Sequence, residues 1–150
     1  MYTRQEASLI RKKFWTSFGQ YMQPLPGANG DTINWLNYKT GIRHLYFRMD
    51  ADTERASVAI ELRHTDLLLQ QQYFKQLQQV KILLEEQTGE EWQWELQRPD
   101  EDGNTISRVS ITLDKVNIFN ATDWPTIISF LKPRILALDK FWDAVKDGFG

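Results

Sequence analysis

The chain contains no cysteine. Disulfides, thiolate metal sites and cysteine nucleophiles are therefore excluded together. The lack of cysteine suits a reducing compartment, and a cytoplasmic location is the expectation. Histidine is nearly missing as well. His44 and His64 do not stand at metal-binding spacing such as His-x-x-x-His. Neither sign of charge dominates: 18 basic residues face 20 acidic ones, a formal net charge of −2. Such a chain has no global field to gather nucleic acid or acidic membrane, though a local basic patch is compatible with it. No apolar run approaches the roughly 20 residues that span a bilayer, so no membrane partner is expected. Met1 to Lys13 is mixed and charged and does not read as a secretory signal. There is no Gly-x-Ser-x-Gly elbow. Gly27 and Gly30 lack the further glycines and the lysine of a phosphate-cradling loop. No cofactor and no metal is expected.

What the sequence has is rings and periodicity. Among 150 residues there are six tryptophans and eight phenylalanines, enough to build a core from large apolar groups. Ile10, Phe14, Phe18 and Met22 recur every four residues and predict a helix over Thr3–Met22. Thr3 with Glu6 forms a capping-box pattern at its start, and Pro24, Pro26, Gly27 and Gly30 end it. Three strands are predicted next, at 33–38, 42–49 and 55–63, joined by short turns that make neighbours antiparallel.

A long helix is expected over 67–87, from an Asp66 N-cap to a Gly89 stop. Its glutamines (Gln70, Gln71, Gln72, Gln76, Gln78, Gln79) read as a solvated face. Trp92, Trp94 and Leu96 alternate with polar residues, as do Val109, Ile111 and Leu113, predicting a second hairpin across a turn at 98–104. A last helix is expected over 124–147, capped at Thr122 or Asp123, with Pro125 in its first turn and a kink at Pro133. The resulting fold class is α+β, in the order α-βββ-α-ββ-α. It is a five-stranded, mainly antiparallel sheet with helices packed on one face, and residues 1–150 form a single domain.

Strand alternation separates two faces. Leu45, Phe47, Val58, Ile60, Leu62, Trp92, Trp94, Val109 and Ile111 form the apolar one. The other carries His44, Tyr46, Arg48, Ser57, Glu61, Arg63, Gln93, Glu95, Arg108 and Thr112. Pairing Asp50 with Arg55 sets Phe47 opposite Val58, Leu45 opposite Ile60, Tyr46 opposite Ala59 and His44 opposite Glu61. The polar face is the candidate functional surface, with Tyr46, Arg48, Arg63 and Arg108 as ligand-binding residues. Arginine and aromatic side chains together suit phosphates and bases, and equally a protein partner. The alternatives are a face that is merely solvated, or one covered by a second copy in a homodimer.

Chemistry is sparse. His44 beside Glu61 is either an acid–base pair or a structural cross-strand pair. His64, where a strand gives way to a helix, reads as a boundary residue. Asp50, Asp52 and Glu54 cluster at a turn without the glycine and later glutamate of a calcium loop. Helix, three strands, helix, strand is the order of PD-(D/E)xK nucleases, and Glu61-Leu62-Arg63 is a degenerate (D/E)-x-K. Glu61, Arg63 and His44, with Glu95, are thus weak catalytic candidates for a metal-dependent phosphodiesterase. Arginine does not replace lysine there equivalently. In the expected register Asp50 lies roughly 20 Å from Glu61, at ~3.3 Å per residue, too far to share a metal. A non-catalytic binding or interaction module is the expected function. A degenerate nuclease and a self-associating structural protein are the alternatives.

Several stretches carry a resemblance: 10–15 (IRKKFW), 33–41 (INWLNYKTG), 46–52 (YFRMDAD), 59–64 (AIELRH) and Trp92-x-Trp94. Together they resemble the bacterial family called domain of unknown function 4268, over nearly the whole chain. Members look like short stand-alone proteins, and in others a similar domain looks joined to a nuclease-like one. The resemblance implies no catalytic residue. By association it implies a link to nucleic-acid metabolism or defence.

Overall fold

The computed structural model describes residues 2–150. Four helices and a four-stranded antiparallel sheet follow one another as α1 (Arg4–Met22), β1 (Leu45–Ala51), β2 (Arg55–Leu62), α2 (Leu67–Gln79), α3 (Lys81–Thr88), β3 (Gln93–Pro99), β4 (Thr105–Asp114) and α4 (Trp124–Val145). The strands lie in the order β1-β2-β4-β3. The fold is therefore α+β, with one strand fewer than the alternation suggested.

The missing strand is 33–38. Trp35–Asn37 forms a single 3-10 turn, because the Asn34 side chain and carbonyl both accept from the Asn37 N–H. Asparagine offers the backbone this local partner and so competes with a ladder. Two long-range bonds pin the segment. The Trp35 indole N–H donates to the Leu25 carbonyl at 3.0 Å, and the Tyr38 hydroxyl donates to Asp139 Oδ1 on α4. Asp139 is buried, and its Oδ2 accepts from the Ala28 N–H at 2.7 Å. One carboxylate thus ties both ends of the 28–38 loop to α4. Burial first, then donation to Asp139, then the charges of Asp139 and Asp143 push the Tyr38 phenol far above its usual range.

The long helix expected over 67–87 is two helices. Val80 leaves helical geometry at φ −111°, ψ 17°, and its N–H turns to the Leu77 carbonyl. Phe74, Leu77 and Leu84 stay buried across the break, so the apolar spacing does not reveal it. Asp66 caps α2 by accepting from Leu68 and Leu69, Thr3 and Glu6 form the capping box of α1, and Gly89 ends α3 at φ +71°. At α4 neither Thr122 nor Asp123 supplies a cap. The Asp123 carboxylate instead accepts from the Asn117 N–H, and the helix continues through Pro133 to Val145.

Gln70 corrects the reading of the glutamines as solvated. It is fully buried, donates to the His64 and Thr105 carbonyls, and accepts from the Ser107 hydroxyl at 2.6 Å. A buried amide needs such partners, and here they join α2 to the ends of β2 and β4.

The core lies between the sheet and the helices. Phe47, Val58, Ile60, Leu62 and Val109 meet Phe74, Leu77, Ile127, Leu131, Ile135, Leu138 and Trp142. Phe47 packs edge-on to Trp142 and stacks on Tyr38, and Phe14 of α1 meets Trp124 of α4 edge-on. Each fully buried aliphatic side chain contributes roughly 1.5–3 kcal/mol of burial. These core contacts lie on one face of the sheet, and the other face carries the polar side chains.

Candidate functional site

The register of β1 on β2 decides which polar side chains meet. It differs by two residues from the sequence expectation: Asp50 pairs with Ser57, Phe47 with Ile60, Leu45 with Leu62 and Tyr46 with Glu61. The cause is the turn. Asp52 Oδ1 accepts from the Glu54 and Arg55 N–H groups at 2.7 and 2.9 Å, so Arg55 closes the hairpin against Asp52 rather than against Asp50. Because the shift is even, every side chain keeps its face and only the neighbours change.

His44 consequently does not lie beside Glu61. It sits before β1 in left-handed geometry at φ +67°, its carbonyl accepts from the Arg63 N–H, and its ring is 5.2 Å from that of His64. His64 is buried and stacks on Tyr73 at 4.7 Å. Burial, then the neighbouring His44, lower its pKa, with Asp66 opposing weakly. The two histidines make an aromatic seam between β2 and α2, apart from the arginines.

The polar face has one centre, Glu61. Tyr46, Glu61, Arg108 and Glu95 form a row straight across the four strands. Glu61 is only 7 % exposed, which a carboxylate tolerates when paired. Arg63 Nε and Nη2 each lie 3.0 Å from Glu61 Oε1. Arg48 Nε stands 3.7 Å from the same oxygen and Arg108 Nε 3.9 Å from Oε2. Arg63 also reaches Asp100 Oδ2 with Nη1 at 3.1 Å. Burial pulls the Arg63 pKa down, but the charge of Glu61 and the hydrogen bonds to Glu61 and Asp100 outweigh it and hold the pKa above its ordinary value.

Asp100 and Arg98 are site residues that the sequence reading left inside a turn. Asp100 Oδ1 accepts from the Asp102 and Asn104 N–H groups at 2.9 and 2.8 Å while Oδ2 holds Arg63. Desolvation opposes ionisation, but these bonds outweigh it and keep the Asp100 pKa below the usual carboxylate value. Arg98 enters through a bulge in β3, where Gln97 takes φ +51° and Arg98 pairs with Glu95 at 3.3 Å. An Asp-x-Asp-Gly-Asn turn beside an arginine is the signal that could have found Asp100, since such turns fold their first aspartate inward.

The resulting groove of about 530 Å³ is lined by Arg48, Arg63, Arg98 and Arg108 and by Asp50, Glu61, Asp100, Glu101 and Asp102, among others. Each of the three Arg63 side-chain nitrogens has a carboxylate partner. Arg108 retains a buried Nε without a hydrogen-bond partner, and its Nη2 makes only a long 3.4 Å contact to Ser57. Arg48 is half-exposed, with its guanidinium 5.0 Å from the Tyr46 ring. Of the arginines around Glu61, Arg48 and Arg108 therefore keep unused donors, and Arg48 lies over an aromatic face.

A nuclease arrangement fares differently. With the true register Asp50 lies opposite Ser57, roughly 13 Å along β2 from Glu61 at ~3.3 Å per residue. The carboxylate that does approach Glu61 is Asp100, and the Arg63 guanidinium lies between the two. Among the described residues no three His, Asp or Glu side chains gather closely enough to hold an ion. Asp52 is committed to its turn, and the Asp50 carboxylate accepts from the Ala51 N–H. The helix, three strands, helix order on which the analogy rested is also gone, since 33–38 is no strand. No described helix is long and apolar enough to cross a membrane.

Comparison with curated proteins and with solved structures returns no significant match. The family model described as Domain of unknown function (DUF4268) matches residues 10–146, and the chain belongs to that family.

Proposed function

We propose that this chain is a non-catalytic binding module whose recognition surface is the arginine face of the sheet. The observation that supports this most is the buried Glu61, which orders Arg63 and draws Arg48 and Arg108 to within 4 Å while leaving donors of the latter two unused. Ordered guanidiniums lose little further entropy on binding, which is the usual advantage of arginine at recognition sites. The lining holds five acids to four arginines, so a long polyanion meets no net positive field there. A ligand with one localised anionic group, a carboxylate or a phosphate, beside a ring that stacks on Tyr46 fits better. Involvement in nucleic-acid metabolism or defence then comes through such a contact rather than through a basic channel.

The test is fluorescence anisotropy with labelled single- and double-stranded DNA and RNA, and with acidic and phosphorylated peptides, at two salt concentrations with and without magnesium. A denaturing gel follows each titration. The expected result is binding that falls with salt, leaves the probe intact, and is lost in Arg48→Ala with Arg108→Ala while the folded spectrum is kept. Magnesium-dependent cleavage would overturn the reading in favour of a nuclease. Undiminished binding by the double variant would move the site elsewhere.

A further inference from the structure

The sheet has two edges, and they are treated differently. β3 is blunted: a bulge separates Glu95 from Arg98, Gln97 is left-handed, Pro99 ends the strand, and the Gln97 amide donates to the Leu67 carbonyl. β1 has no proline, no lysine and no bulge. Its outward groups follow from its pairing. The Arg63 N–H donates to His44 and the Asp52 N–H to Arg55, so even-numbered residues bond to β2 and odd-numbered ones face outward. The outward groups of Leu45 are taken by Ile42 and Thr40. Those of Phe47 and Met49, and the Ala51 carbonyl, have no partner among the described residues. Beside them Trp15, Leu36 and Met49 line a recess of about 150 Å³, and Leu36 is exposed.

From this geometry we infer that β1 pairs with β1 of a second copy, antiparallel about a twofold axis at Met49. This inference does not rest on ligand binding, but it shares Arg48 with the proposed ligand face. The charges choose both occupant and register. An axis at Met49 sets Arg48 opposite Asp50 of the second copy, and Asp50 opposite its Arg48, both on the polar face. Phe47 and Ala51 then exchange backbone bonds, and the Asp50 carboxylate leaves the Ala51 N–H for the arginine. An axis at Arg48 would set that arginine against itself. An axis at Phe47 would need the outward groups of Leu45, which its own chain already holds. Pairing at Met49 joins the two sheets into eight strands with one continuous polar face.

The absence of native cysteine makes the test direct. Residues facing each other in a hydrogen-bonded antiparallel pair have Cα atoms about 5.5 Å apart, within the range a disulfide spans. Under mild oxidation Met49→Cys should cross-link to a covalent dimer, and Arg48→Cys should not. Sedimentation equilibrium of the wild-type chain, from about 1 to 200 µM, should show twice the 17.7 kDa chain mass. Asp50→Arg, which sets arginine against arginine at two places, should weaken association at least about tenfold. A wild-type chain that stays monomeric throughout would overturn the inference. So would a dimer that cross-links through Arg48→Cys, or through neither variant.

Discussion

The same four strands supply two faces of opposite construction. On the helix-covered face nothing is charged, and stability comes from close packing of Phe47, Val58, Ile60, Leu62 and Val109 against α2 and α4. On the open face burial is achieved without helices. Glu61, Ser57 and Ser110 are nearly as inaccessible as core residues, because Arg48, Arg63 and Arg108 lie over the sheet. Packing tolerates few substitutions because each lost methyl leaves a void. A charge network tolerates few at its centre and many at its rim, because the cost of a lost partner depends on how much water can replace it.

Substitutions should separate the two faces by size of effect. Ile60→Ala, at a fully buried position, should cost about 2–5 kcal/mol in urea unfolding with an unchanged m-value. Glu61→Leu on the opposite side of the same strand should cost about 1–3 kcal/mol, since it leaves three arginines facing one another. If Glu61→Leu were neutral, the carboxylate would not be the organiser of that face. Arg48→Ala should fall within about 0.5 kcal/mol of wild type, because its guanidinium is half in water. A loss as large as that of Ile60→Ala would erase the distinction between centre and rim.

Titration should sharpen the same contrast. The folded-state pKa of His64 lies below the 6.5 of the free side chain. The unfolded chain therefore takes up the proton first, and stability should fall as pH drops below about 6.5 until the folded histidine titrates too. Asp100 is depressed below 3.8, so a second loss should begin under that value and end as the folded carboxylate protonates. Tyr38 is raised above 10.0, so its contribution is complete below that pH and is lost as pH rises past it. Midpoints of urea unfolding measured across pH should show these limbs. His64→Gln should flatten the first, and Tyr38→Phe should flatten the alkaline one.

The sequence reading succeeded where one local rule governs and failed where two compete. Thr3 with Glu6, Asp66 and Gly89 mark helix ends through local bonds, and all three do so here. Residues 33–38 have strand-like rings, but Asn34 and Asn37 favour a turn and Asp139, far along the chain, rewards it. Arg55 was set opposite Asp50 where the structure has Asp52, since an Asx turn and a longer loop share the same composition. That error left Tyr46, Arg48, Glu61, Arg63 and Arg108 on the right face with the wrong neighbours: His44 was paired with Glu61 in place of Tyr46.

What the chain determined by itself was therefore the alternation: which residues face helices, which face outward, and that cysteine chemistry has no place here. These follow from side-chain period and residue type, which need no partner. Tertiary structure alone decided that Glu61 would be shared among arginines from β1, β4 and the residue after β2, that Asp100 would fold back onto Arg63, and that β1 would be left with an open edge. Each of these depends on the position of a distant strand or turn, and hydrogen-bond geometry sets that position only once the sheet has assembled.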